Sequence, residues 1–376
     1  MPTPSSKKLN WVTTLFFILT PMVGVSGTLY VILTHSLHWL TLVLALFYIF
    51  AAGMSITAGY HRLFSHLTYK GLWPIRLFYI LFGAAAFEGS VLEWCTDHRN
   101  HHRYTDQEKD PYSVKKGLWH AHIGWLLYLD ESKRNYANVT DLAKDPLIAW
   151  QHKYYNYIAG FMCFILPALI AASWGDAVGG FFIAGALRVS LNHHFTFCIN
   201  SVCHYIGKKT YANLSARDNW IMSLFTYGEG FHNFHHQFAA DYRNGIRWFH
   251  FDPSKWLIWC LSKLHLTSHL KKFDHELVIQ HRLKMEEQLV KIGNHALRTQ
   301  TQTLVNSLLS KLNVIYLQLV KLRQEHALLK ADKKTLLKNQ YRIYSKACKD
   351  KISLCKKEFN LVLNDLIYTR KRAISL

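Results

Sequence analysis

Histidine is the residue this chain concentrates, with 23 among 376 positions. Four short words carry the informative ones. HRLFSH holds His61 and His66, DHRNHH holds His98, His101 and His102, NSVCH pairs Asn200 with His204, and HNFHH holds His232, His235 and His236. On a helix, residues i, i+3 and i+4 share a face, so each HxxHH word is expected to project three imidazoles the same way. Asn200 and His204, four apart, are expected to do likewise. At this chain's histidine frequency about 0.1 HxxHH words would arise by chance, and two are present.

Neutral imidazole is a ligand for zinc, iron, copper and nickel. One structural zinc takes four ligands, so nine clustered histidines point to two metal ions with open or water-filled positions. The seven cysteines are scattered, with no CxxC pair and no CxxCH. That argues against iron–sulfur clusters and covalent haem and fits a reducing compartment. A carboxylate-rich di-iron site needs two ExxH words, and the clusters contain one, Glu229–His232. Redox-active iron suits an all-histidine pair that activates O2, because zinc does not cycle electrons.

The elements that must position these words are apolar. Four stretches reach the roughly 20 residues needed to cross a bilayer: 11–33, 38–59, 156–174 and 177–199. They read as two tight hairpins whose connections, THSL and SWGDAVGG, lack Lys and Arg. Basic residues gather in the N-terminal tail (Lys7, Lys8), in 60–155 and after 200. By the positive-inside rule both termini and every histidine word are expected on the cytoplasmic face, where the substrate would be a lipid chain entering from the bilayer or the interface. A fifth apolar stretch, 72–95, is broken by Arg76, Glu88 and Glu93. It reads as a helix lying in or dipping into the interface, since a span there would put 61–66 and 98–102 on opposite sides. The N-terminus reads as the start of the first span and not as a removed signal.

Past about 275 the character changes. Val305, Leu308, Leu312, Ile315, Leu319, Leu322, Leu329, Leu336 and Ile343 follow heptad a and d positions, with His326, Lys333 and Gln340 as polar a positions. A long helix is expected there, packed on a partner helix from 276–298, from 350–370 or from a second chain. The formal charge of +20 fits basic loops facing an anionic membrane or substrate. No nucleic-acid motif is present, so nucleic acid is not an expected partner. His120, His122, His193, His194 and His250 read first as surface or interfacial side chains and second as supports for ligands. Asp97 and Asp110–Pro111 read as fixing turns and orienting imidazoles, and Glu229 as bonding a ligand imidazole or capping a helix. Trp94, Trp119, Trp125 and Trp248 suit an interfacial belt or a cavity wall.

ITAGYHRLFSH, LEWCTDHRNHHRYTDQEKDPY, HIGWLL, INSVCH and GEGFHNFHHQF resemble, in order and spacing over about residues 10–260, the membrane-bound fatty acyl-CoA desaturases of the stearoyl-CoA (Δ9) type. The resemblance implies an all-α membrane protein with four transmembrane helices capped by a cytosolic helical domain (1–274), and a helical extension follows at 275–376. It implies a di-iron centre, two Fe ions with O2 as co-substrate, held by His61, His66, His98, His101, His102, His204, His232, His235 and His236. Asn200 would reach one metal through a water. It also implies a bent acyl tunnel. Glu88 (in place of the family's Gln), Thr196 and Phe197 (in place of Trp) would lie at its bend, Ala45 and Ile49 at its floor, and Asp97 toward the acyl carrier. Where animal members carry an Arg before the second word this chain has Thr96. Where they carry a basic pair after HIGWLL it has Leu129 and Asp130, with Lys133 and Arg134 close by. The carrier is then CoA, acyl-carrier protein or a phospholipid. No HPGG word of a fused cytochrome b5 domain is present. A separate electron donor is expected, a cytochrome b5-like protein, a ferredoxin or a flavoprotein reductase. The implied reaction leaves a cis double bond in an acyl chain. The expected membrane is a bacterial inner membrane, or the endoplasmic reticulum in a eukaryote. The alternative readings are a membrane di-iron lipid or alkane hydroxylase, and a non-catalytic scaffold acting through its helical tail.

Overall fold

The computed structural model describes residues 8–34, 37–128, 134–293, 299–334 and 338–374. Lys7, Leu129, Asp130, Lys133 and Leu336, which the sequence reading singled out, lie outside these. The chain divides into two compact units, Met1–Lys209 with Leu214–Lys272, and Thr210–Asn213 with Phe273–Leu376.

In the first unit α1 is Trp11–Thr34 and α2 is Trp39–Ser65. Asn10 starts α1 by accepting from the Thr13 amide at 3.1 Å, and His38 starts α2 by accepting from the Leu40 amide. Both caps supply acceptors to amides that the first helical turn leaves unbonded. α5 is Tyr155–Ala172, and α6 runs 177–200. Among the described residues four helices are long and apolar enough to cross a membrane: α1, α2, α5 and, in the second unit, Gln302–Ala331. The first three coincide with expected spans. The expected fourth span is indeed one continuous helix, α6, but its second half buries Arg188, Asn192 and His193, so its composition is more polar than that of its partners. Arg188 is accommodated by carbonyls, donating to Ala184 at 3.0 Å and Ala85 at 2.6 Å, as a cation sealed from water requires. α1 approaches α6 closely enough that a Cβ on Gly24 would fall 2.6 Å from the Leu187 nitrogen. That is small-residue packing of the kind membrane helices use.

The 72–95 stretch is not one helix. α3, Trp73–Ala84, has 12 residues, too few to span. The chain then turns through Phe87 (φ 59°) and Gly89 (φ 95°) and enters α4, Val91–Tyr104, through a Ser90–Glu93 capping box. A short strand pair, Lys70–Gly71 with Thr267–Ser268, ties the loop after α2 to the chain following α8, Pro253–Lys263. α7, His232–Gln237, precedes it. The core between α2, α3 and α4 is built from Ile56, Tyr60, Leu63, Phe64, Tyr79, Ile80, Val91 and Cys95.

The second unit holds α9, His275–Gly293, α10, Thr299–Ala331, and α11, Lys338–Ile374. The heptad residues Val305, Leu312, Ile315 and Leu319 are buried against Ile279 and Leu283 of α9 and Phe359, Leu363 and Leu366 of α11. The partner helices are therefore supplied by the chain itself. Ile343 at the end of the pattern is exposed, because the chain has already turned into α11 there.

Candidate metal centre and the adjoining cavity

HRLFSH sits at the end of α2, where Ser55–Ser65 winds as a π-helix. In an α-helix residues five apart diverge by about 140°, which would point His61 and His66 away from each other. The i→i+5 pattern of a π-helix sets residue i+5 over residue i, and the His66 amide donates to the His61 carbonyl at 3.1 Å. Their rings meet with centroids 4.8 Å apart. α4 carries His98, His101 and His102, a short helix Val202–Tyr205 after α6 carries His204, and α7 carries the last word.

The nine imidazoles form two groups: His61, His66, His98, His102 and His235, and His101, His204, His232 and His236. This corrects one expectation. The HxxHH words do not each face one way, since adjacent helical residues diverge by about 100°. In both words the i, i+4 pair joins one group and the i+3 histidine joins the other, so each word bridges the two.

Within the first group the Nε2 atoms of His61 and His235, of His66 and His98, and of His102 and His235 lie 2.9, 2.8 and 2.9 Å apart. Within the second, His101–His236, His204–His232 and His232–His236 are 3.2, 3.0 and 3.1 Å apart. With metal–nitrogen bonds of about 2.1 Å, neighbouring octahedral positions are about 3.0 Å apart and tetrahedral ones about 3.4 Å. Ring nitrogens at this spacing could share one metal ion in each group. Burial, and then the neighbouring imidazoles, hold His66, His98, His102, His204, His235 and His236 well below the ordinary histidine range. Burial likewise takes His232 down to about 3. Neutral rings are the form a metal takes.

The outer nitrogens are held as well. His61 Nδ1 meets Glu229 at 3.0 Å and His101 Nδ1 meets Asp110 at 2.8 Å. A carboxylate only accepts, so each Nδ1 donates and turns its Nε2 lone pair inward. Burial raises the Glu229 carboxyl, but His61 and Arg62 outweigh it and bring it down to about 2. Arg62, itself buried, bonds Glu229 at 2.8 Å and Asp252 at 3.0 Å. His204 Nδ1 is bonded to Ser215 at 2.7 Å and His98 Nδ1 to Tyr112 at 3.3 Å. Of these supports, Asp110 and Glu229 were legible in the sequence. Arg62, Asp252, Ser215 and Tyr112 carried no signal, because their roles depend on contacts across distant segments. Among the remaining histidines, His120 bonds the Pro111 carbonyl and His122 bonds Ser201 and His194. His193 bonds the Phe87 carbonyl, and His250 stacks on Phe231.

A cavity of about 380 Å³ reaches both histidine groups and is lined by His61, His98, His232 and Asn200 at that end. Phe16, Phe17, Phe87, Trp94 and Phe197 make its apolar wall, and Glu88, Thr196 and Asp97 also line it. Ala45 and Ile49, expected at the tunnel floor, do not line it. They share a helical stripe with Ile56, which does, but Ile49 lies about 10 Å farther along α2. Ala45 instead packs with Val31, Leu44 and Tyr48. Asp97 is paired with Arg134 at 2.9 Å.

The family model of fatty acid desaturases matches residues 37–267. The chain is 44% identical over 286 residues to a probable acyl-CoA desaturase of Schizosaccharomyces pombe, covering 74% of this chain and 59% of the relative. It is 41% identical over 289 residues to acyl-CoA desaturase 1 of Saccharomyces cerevisiae, covering 75% and 56%. It is 37% identical over 255 residues to stearoyl-CoA desaturase of Homo sapiens, covering 65% and 71%. The aligned part thus spans less than two thirds of the two yeast relatives. Residues 37–267 contain all nine histidines, and on this match the chain belongs to the fatty acid desaturase family.

Proposed function

We propose that the chain is an O2-dependent fatty acyl desaturase that introduces a cis double bond, at the Δ9 position, into a saturated acyl chain carried on CoA. The observation that carries this reading is two groups of converging imidazoles, five and four, beside a cavity with an aromatic wall. Two iron ions held by those nine histidines, with Asn200 beside one of them, would supply the oxidant that an unactivated C–H bond demands. The reaction consumes O2, two electrons and two protons, removes one hydrogen from each of two adjacent methylenes, and yields the alkene with two waters. The protein's share is positioning: the aromatic wall packs against the chain, and the histidine-bearing segments of α2 and α4 fix which methylenes stand next to the metals. Glu229 and Asp110 keep His61 and His101 in the tautomer that ligates. The Arg134–Asp97 pair on the cavity wall is assigned to the carrier head group. The histidine groups and both termini lie on the cytoplasmic side, in keeping with the distribution of Lys and Arg.

The test is expression in a host lacking its own Δ9 desaturase, followed by double-bond mapping of the fatty acids. New Δ9 unsaturation is the expected result. Saturated lipids only, with metal bound and an electron donor supplied, would overturn the reading.

A further inference from the structure

Four carboxylates line the cavity. Three of them hold a cation: Glu229 pairs with Arg62, and Asp97 and Glu93 both face Arg134, at 2.9 and 3.5 Å. The fourth, Glu88, forms no ion pair with Lys or Arg among the described residues. Its Oε2 accepts from the Trp94 indole at 3.2 Å, while its Oε1 is buried with no hydrogen-bond partner. The left-handed backbone at Phe87 and Gly89 on either side fixes this carboxyl at the turn between α3 and α4, in a cavity whose wall is aromatic. An ionised carboxylate there would lose its hydration against an alkyl chain and gain no cation in return. A neutral carboxyl loses far less.

We propose that Glu88 is a specificity-determining residue of the acyl cavity: an alkyl chain packs past Trp94 and Thr196 only while the Glu88 carboxyl is neutral, so that chain binding takes up a proton whenever Glu88 is ionised. The inference rests on the acyl reading of the cavity. The groups around Glu88 are Tyr60 from α2, Tyr155 from α5 and His193 from α6, with Glu93, Asp97 and Arg134 along the same wall. α1 contributes only Val12, Thr13, Phe16 and Phe17. Burial pushes the Glu88 carboxyl up to about 7, against the pull of Thr196 and Trp94. It is neutral below that pH and ionised above it. Chain affinity therefore falls as pH rises, by about tenfold per pH unit once Glu88 is ionised in the empty cavity.

The experiment measures equilibrium binding of palmitoyl-CoA, and of CoA without a chain, to the full protein in lipid nanodiscs between about pH 6 and about pH 8.5. The expected result is an increase of about 30-fold in the palmitoyl-CoA Kd across that range, beyond any change seen with CoA alone. In Glu88→Gln, which is always neutral, the chain-dependent part of the increase disappears. Glu88→Met serves the same purpose should the glutamine variant fail to accumulate. An infrared difference spectrum is the second readout. Adding palmitoyl-CoA at about pH 8 should produce the carbonyl stretch of a protonated carboxyl in the natural protein and not in Glu88→Gln. A pH-independent chain affinity in the natural protein, an unchanged pH dependence in the variants, or no such band would each overturn the inference alone. Absence of palmitoyl-CoA binding at every pH would remove the acyl-CoA reading with it.

Discussion

Replacing Glu229 by glutamine should weaken both the fold and the metal centre, in amounts the geometry sets. Glu229 is buried and touches His61 at 3.0 Å and Arg62 at 2.8 Å. Asn244 donates to Oε2, the oxygen that His61 also meets, while Arg62 holds Oε1. Its carboxyl is lowered from 4.5 to about 2, which corresponds to about 3 kcal/mol favouring the ionised form in the folded state. The group's folded value lies below its unfolded one, so this stability is fully present above pH 4.5 and is lost as pH falls toward 2. Glu229→Gln forgoes it at every pH and leaves Arg62 with Asp252 as its one carboxylate partner. The amide can also present its NH2 to His61 Nδ1, which disturbs the ligating tautomer. Loss of such a support typically weakens metal binding by about 10- to 100-fold. The assay is chemical denaturation of the metal-free protein from pH 3 to pH 7, with iron affinity measured by competition against a chelator. The difference between natural protein and variant should be about 3 kcal/mol at pH 7 and should shrink below pH 4.5. A variant with unchanged iron affinity and a pH-independent difference would refute the reasoning.

Three further outcomes are expected. His235→Ala removes the ring that meets both His61 and His102 at 2.9 Å, so on the proposed di-iron reading bound iron measured by mass spectrometry should fall from two ions per chain toward one, and an unchanged content would count against the five-histidine group as a metal site. Gly24→Ala places a Cβ 2.6 Å from the Leu187 backbone, which should cost about 1–3 kcal/mol as overpacking, read as a lowered Tm in detergent. Leu312→Ala empties a fully buried position between the tail helices. It should cost the second unit about 2–5 kcal/mol and speed amide exchange across α9, α10 and α11, with iron content unchanged.

The types and spacing of residues were enough to find the histidine words that the fold brings together. Nine histidines in four words, long apolar helices and a heptad tail are all local patterns, each repeating with the period of one helix. Asp110 and Glu229 could be named beside the ligands because they lie in or next to the same words. The sorting of the nine histidines into five and four was not local. It depends on the roughly 100° between adjacent helical residues, which sends His101 and His102 to different groups, and on rings from α2 and α7 arriving to complete each one. The pairing of His61 with His66 was out of reach for a related reason. A spacing of five suits a π-helix and not an α-helix, and Ser55–Ser65, which winds that way, packs against α3 and α4. The cavity's extent was decided the same way. The stripe through Ala45, Ile49 and Ile56 was readable, but where the cavity stops along it depends on side chains from α1, α4 and α6. Glu88 shows the division most plainly. A carboxyl has the same intrinsic acidity wherever it stands in a sequence, and only the surrounding fold, by withholding water and any cation, decides its charge.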